Sequence, residues 1–199
     1  MATTFDPHEQ YVLEDEHVLL RPLSVTDDEH LLHYALHEQD TWRYSSHAAF
    51  GSEGLSEYIS YALAARAKGN EYPFIVFDKL TGKYAGCTRF YDIQPLGQSL
   101  QLGFTWYGEQ FRGTGLNKHC KFLLLQFAFE ELGMERVEFR ADARNERSIA
   151  AMKSIGCTVE GILRSHFPLR EGGRRDCIVL SILKNEWENG VKKRLQERL

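Results

Sequence analysis

Gly113-Thr114-Gly115 sits where the chain changes period. Before it, Leu100-Gln101-Leu102-Gly103-Phe104-Thr105-Trp106 reads as a strand. After it, Leu116, Cys120, Leu123, Leu124, Phe127, Ala128 and Leu132 recur at helical spacing until Gly133 supplies a stop. A strand running through a glycine loop into a long amphipathic helix demands a sheet with a helix laid against it. The flanking pattern agrees. Pro73 to Phe77 and Tyr84 to Tyr91 flank Thr81-Gly82, a hairpin signal. Residues 100–106 add a third strand to that meander, with Gly103 marking a bulge or a close backbone approach. Downstream come a strand at Val137 to Ala141, an Asn145-capped helix to Ile155 closed by Gly156, and strands at Thr158 to Leu163 and Asp176 to Leu183. Upstream, Val18 to Pro22 reads as a strand, and Thr26 with Glu29 has capping-box spacing for a helix to about His37. Ser52 can cap a second helix through Lys68. Residues 1–15 read as a loose lead-in and the segment from Asn185 as a polar terminal helix. The expectation is one mixed α/β domain over residues 1–199, with helices on both faces of a mixed sheet.

Composition excludes several classes. The 199 residues are 43% hydrophobic and 26% charged, which is globular rather than disordered. The net charge is -4 with lysines and arginines scattered, so no basic stripe for nucleic acid is visible. A mildly acidic chain suits a cationic or amine substrate. Cys87, Cys120, Cys157 and Cys177 form no Cys-x-x-Cys pair, which argues against a zinc module or a disulfide framework. The start carries no basic segment followed by an apolar stretch, and no apolar run approaches the roughly 20 residues of a membrane helix. A cytoplasmic protein, away from membranes, is expected.

Glycines between a strand and a helix let backbone amides approach an anion, and the helix N-terminus adds partial positive charge. Two common phosphate loops fail here. Leu116-Asn117 stands where a Walker loop needs Lys-Ser/Thr, and Lys118 stands where a dinucleotide fingerprint needs its third glycine. What remains is [Q/R]-x-x-G-x-G opening a helix, satisfied by Gln110, Gly113 and Gly115.

With that loop as its centre, the chain resembles the GCN5-related N-acetyltransferase superfamily, and within it the RimJ/RimL branch. The carrying segments are LGFTW at 102–106, EQFRGTGLNK at 109–118, VEFRADARNERSIAAMKSIGC at 137–157 and EGILR at 160–164. RDCIVLSILKNEW at 175–187 and LRPLSVTD at 20–27 extend it, to cover roughly residues 15–190. The resemblance implies a mostly antiparallel sheet whose fourth and fifth strands splay apart, and acetyl-coenzyme A as donor substrate. It implies that Gln110, Phe111, Arg112, Gly113, Thr114 and Gly115 hold the pyrophosphate. The pantetheine arm would run beside Phe104, Thr105 and Trp106, with Asn145 bonding to it, and Lys118 or Arg112 would meet the 3′-phosphate. Asn145 also reads as a plain helix cap. The acceptor would be a primary amine, a protein N-terminus or a small molecule, and a homodimer is one assembly open to the chain.

The implied reaction is direct attack of a neutral amine on the thioester. Backbone donors at a bulge around Leu102 and Gly103 would meet the developing oxyanion. Here the chain departs from the broad family. Met152 stands where a tyrosine acid is usual, and Ser148 matches the serine given that role in the RimJ/RimL branch. Gln101 stands where many relatives carry a basic Glu, leaving Glu138, Asp92, Glu160, His166 or a water chain as candidates. The acceptor wall is expected from Trp42, Tyr44, Ser45-Ser46-His47, Phe90, Tyr91 and the Arg170–Arg175 loop, with Trp42 and Tyr44 equally readable as core aromatics. His30, His33 and His37 share a helix face without a matched carboxylate, so no metal is expected. Gln101 and Met152 also motivate a different class, a catalytically silent acyl-coenzyme A sensor.

Overall fold

The computed structural model describes residues 5–45, 47–169 and 172–199. Eight strands form one sheet: β1 (Leu13–Glu14), β2 (Val18–Pro22), β3 (Glu71–Asp78), β4 (Lys83–Gln94), β5 (Ser99–Tyr107), β6 (Arg136–Asp142), β7 (Thr158–Pro168) and β8 (Arg174–Leu183). Their spatial order is β1-β2-β3-β4-β5-β6-β8-β7, and among the described residues only the β5–β6 pair is parallel. The β3–β4 hairpin turns at Thr81-Gly82, where the Thr81 hydroxyl donates to Asp78 Oδ2 at 2.6 Å. β5 and β6 are parallel because the chain between them is a helical crossover, α3 (Leu116–Gln126) and its continuation over Phe127–Glu131.

Helices cover both faces. On β4, the Arg89 guanidinium lies 5.3 Å from the Tyr58 ring of α2 (Gly51–Ala67), while the adjacent Phe90 stacks on Phe127 beyond α3. Neighbouring strand residues point to opposite faces, so α2 and α3 sandwich the sheet. α1 (Asp28–His37) packs with α2, and α4 (Glu146–Ser154) lies against β6. Leu20, Phe74, Ile75, Val76, Leu124, Val137 and Leu180 are among the fully buried apolar side chains of the core.

Several element ends differ from the sequence reading. The capping box entering α1 is Ser24 with Asp27, not Thr26 with Glu29: the Ser24 N–H donates to Asp27 Oδ2 at 2.8 Å. Arg21 decides this by clamping the Asp27 carboxylate at 2.6 and 2.9 Å, a contact made by tertiary placement. α2 starts at Gly51, so Ser52 lies inside its first turn rather than capping it. The lead-in is partly packed: β1 pairs with β2, the Tyr11 N–H donates to the Tyr72 hydroxyl, and the Tyr11 ring lies 4.9 Å from Phe127. The C-terminal segment is amphipathic rather than polar, since Trp187, Val191 and Leu195 are buried. The Trp187 indole packs on Phe122 and Phe129 and donates to Glu130.

Candidate active site

The β5–β6 ladder holds only three pairs, Ser99↔Arg136, Leu100↔Val137 and Gln101↔Glu138. Past Gln101 the strands part around an opening of about 950 Å³, lined by residues 102–107 of β5 and 139–142 of β6. A bulge in β5 coincides with the parting. Cys87 pairs with Trp106 and Arg89 with Gly103, so β5 carries one residue more than β4 across this stretch. Phe104 takes up the excess at φ 49°, a left-handed conformation uncommon for a bulky residue. Its ring covers the Arg89 guanidinium at 4.4 Å and meets Tyr91 edge-on at 4.9 Å. A Cβ at Gly103 would lie 3.0 Å from the Tyr91 ring, tighter than most Cβ contacts, so the close approach favours glycine. Such a bulge bends its strand and raises its twist, which supplies a local cause for the separation.

The glycine loop lies at the mouth. Phe111 is buried and anchors it, its ring 6.5 Å from Tyr34. Arg112 turns inward, its Nε donating to the Tyr107 carbonyl and its Nη2 to Thr41 Oγ1 at 2.5 Å. Gly113 and Gly115 have φ 75° and 97°, yet a Cβ at either would meet nothing within 4 Å. Backbone conformation, not crowding, therefore selects glycine, and open space lies beside both. Gly115 is the N-cap of α3 and brings no capping side chain, so a helix end with partial positive charge abuts the opening. Lys118, half-buried, lines the same space.

Across the opening, Asn145 caps α4, its Oδ1 accepting the Ser148 N–H at 3.1 Å. Ser148 and Met152 both line the space. Asp142, at the end of β6, is bonded by Arg144, which, against the opposing effect of burial, holds its carboxyl below the usual range. On the α2 side, Trp42 is 2% exposed with its ring 4.6 Å from Trp106, and Tyr44 is half-buried. Arg175 Nη1 donates to the Tyr44 carbonyl at 2.8 Å, joining β8 to this wall. Trp42, Tyr44, Tyr91 and Ser45 line the opening. Phe90 does not: it is fully buried on the opposite face between Phe74 and Phe127, because its strand parity points it toward α3. Ser46 and Arg170 lie outside the described residues.

Residues 17–158 match the family model of the acetyltransferase (GNAT) domain. The chain belongs to the GNAT acetyltransferase family. It is 31% identical over 107 residues to YdaF of Bacillus subtilis, a candidate ribosomal N-acetyltransferase; the match spans 54% of this chain and 57% of YdaF. A crystal structure of a candidate acetyltransferase from T. thermophilus superposes with a TM-score of 0.84 at 35% identity, covering 94% of this chain and 96% of that one. Mycobacterium smegmatis RimJ, solved with CoA-disulfide, shares the fold at TM-score 0.77 and 20% identity, over 96% of this chain and 95% of its own.

Within the GNAT opening the four candidate bases separate. Glu138 is clasped by Arg136 and Arg140, each at 2.7 Å. The Glu160 carboxyl is held at about 2 by hydrogen bonds from Arg136 and Ser181. Asp92 accepts from Gln101 Nε2 at 2.7 Å. His166 is the one of the four that lines the opening, with Arg140 Nη1 3.3 Å from its Nε2. Burial pushes the thiols of Cys87, Cys120 and Cys157 up to about 12, which disfavours a thiolate nucleophile. His30 stacks on Tyr84, while His33 and His37 pair at 4.9 Å. Among the described residues, potential metal ligands gather instead at Asp15, His17 and His119, where Asp15 already bonds His119 Nδ1 at 2.7 Å and the N–H groups of His17 and Val18. Lys121 is a lining residue that periodicity did not reveal. It directly follows Cys120 in the apolar helix stripe, and only the parting of the strands brings it to a cavity. No helix among the described residues is long and apolar enough to cross a membrane.

Proposed function

We propose that this GNAT acetyltransferase moves the acetyl group of acetyl-coenzyme A to a primary amine, by direct attack with both substrates bound. The observation that carries the reading is the meeting of two features in one cavity: the parted strands after Gln101↔Glu138 and the open glycine loop at the start of α3. A pyrophosphate fits that loop, since open space flanks Gly113 and Gly115 and a helix N-terminus faces it. The arm would lie beside Phe104 to Trp106, replacing the strand partner that β5 lacks there. Asn145 uses Oδ1 on its own helix, leaving its amide N–H groups to donate to the arm. Lys118 is favoured for the 3′-phosphate over Arg112, whose guanidinium is committed to Tyr107 and Thr41.

The acceptor would approach between Tyr44 and Tyr91, with Trp42 as the buried floor behind them. Its nitrogen lone pair attacks the thioester carbonyl carbon, a C–N bond forms, and the C–S bond breaks. Backbone N–H groups at Leu102 and Gly103 meet the charge developing on the carbonyl oxygen. An amine with a pKa of about 8–10 must shed a proton, and His166 is the favoured recipient. Ser148 returns a proton to the departing thiolate. A protein N-terminus is the favoured acceptor, in keeping with the ribosomal N-acetyltransferase name of YdaF, with small amines as the alternative class.

Mixing the protein with acetyl-coenzyme A and a panel of amines and N-terminal peptides, while following free thiol, is expected to show acceptor-dependent release. Ser148→Ala should lower kcat by about 10² while cofactor affinity stays within twofold; unchanged turnover would remove Ser148 from the mechanism. His166→Asn should lower kcat/KM about a hundredfold; an unchanged kcat/KM would return the base to a water chain. Tight cofactor binding without release across the whole panel would favour the silent sensor, consistent with Gln101 and Met152 at the two usual chemical positions. No cofactor binding would overturn the reading.

A further inference from the structure

Lys121 is a buried amine on the wall of the opening, 5% exposed, on a helix whose neighbouring positions are apolar. Its Nζ donates to Thr105 Oγ1 at 2.7 Å and to Thr88 Oγ1 at 3.2 Å. Those hydroxyls already bond each other at 2.8 Å, so the β4–β5 pair does not need the lysine to satisfy them. No carboxylate pairs with Nζ among the described residues. The titratable groups facing it are the thiols of Cys120, on its own helix, and Cys157, after α4, both neutral below about 12. A buried ammonium held only by hydroxyls is costly, and a methionine would fill the same space without that cost. An ammonium has three N–H donors, and two are used.

We propose that Lys121 binds the donor substrate, giving its third N–H to an amide carbonyl oxygen of the pantetheine arm. This rests on the acetyl-coenzyme A reading above. Position argues for the arm rather than the phosphates. Lys121 lies about 7.5 Å along the helix axis from Leu116, and it is anchored to Thr105, in the strand segment the arm would flank. Burial lowers the amine to about 8, so near neutral pH the charged, three-donor form prevails and is lost as pH rises through that value.

Two ligands separate arm from phosphate: acetyl-coenzyme A, and adenosine 3′,5′-bisphosphate, which lacks the arm. Calorimetry at pH 7 should show Lys121→Met weakening acetyl-coenzyme A about tenfold while leaving the bisphosphate unchanged. In the wild-type protein, the advantage of acetyl-coenzyme A over the bisphosphate should shrink between pH 7 and pH 9.5, and in Lys121→Met it should be flat. Equal affinity of wild type and variant for acetyl-coenzyme A, or equal weakening of both ligands, would overturn the assignment. If Lys121→Met does not melt cooperatively, the wild-type pH series decides alone, and a constant ratio overturns it. Wild-type protein that binds neither ligand would instead refute the acetyl-coenzyme A reading itself.

Discussion

Gly115→Val is expected to lose at least about thirtyfold in affinity for acetyl-coenzyme A, roughly 2 kcal/mol. At φ 97° a β-branched residue is strained whatever the surrounding space, and the loop must either hold that strain or rearrange. Rearrangement removes the backbone donors from the mouth of the opening; persistence places two methyl groups where the pyrophosphate would lie. A Cβ there touches no protein atom within 4 Å, so the core itself is not disturbed. The expected stability loss is therefore only the strain, about 1–3 kcal/mol. Calorimetric titration with acetyl-coenzyme A, set beside a urea denaturation curve, tests this. Affinity within threefold of wild type would show that the loop does not form the cofactor site.

Trp42→Ala should cost about 3–5 kcal/mol of folding stability, a large share of the roughly 5–15 kcal/mol typical of a domain. The indole is 2% exposed, lies 4.6 Å from Trp106 and 5.9 Å from Tyr58, and closes the layer between the first two helices and β5. Trp106 is in turn tied to α2 by an indole N–H donated to the Tyr58 hydroxyl at 3.2 Å. Denaturation should register the loss as a lower urea midpoint with an unchanged slope. A loss under about 1 kcal/mol with a raised acceptor KM would show that Trp42 serves the acceptor pocket rather than the core. Its neighbour Tyr44, half-buried and bonded through its carbonyl to Arg175, is the better candidate for that wall.

The elements that local pattern encodes were legible. The hairpin at Thr81-Gly82, the bulge at Gly103, the cap at Asn145 and the helix from Leu116 each rest on interactions within a few residues or on one periodic stripe. Ends set by distant partners were not. Arg21 chose Asp27 over Glu29 for the first cap, and Tyr72 drew Tyr11 against the core from what looked like a lead-in. The terminal segment read as polar because Trp187, Val191 and Leu195 are spaced four apart among charged residues, and only the facing rings of Phe122 and Phe129 identify that stripe as buried.

The glycine loop shows the same division within the site. By itself the sequence determined that backbone amides and a helix N-terminus follow a bulged strand there, since glycine spacing and apolar period are local properties. Which side chains share the resulting cavity was decided by the tertiary structure alone. Strand parity sent Phe90 into the core and Tyr91 to the opening, although nothing in composition distinguishes them. The arginines of β6 took up Glu138 and Glu160, leaving His166 from β7 at the cavity. Lys121, silent in the periodicity, became a buried amine beside Thr105 because α3 lays it against β4 and β5. Charge, burial and reach are properties of neighbours in space, and the two hydroxyls that hold Lys121 come from 16 and 33 positions away along the chain.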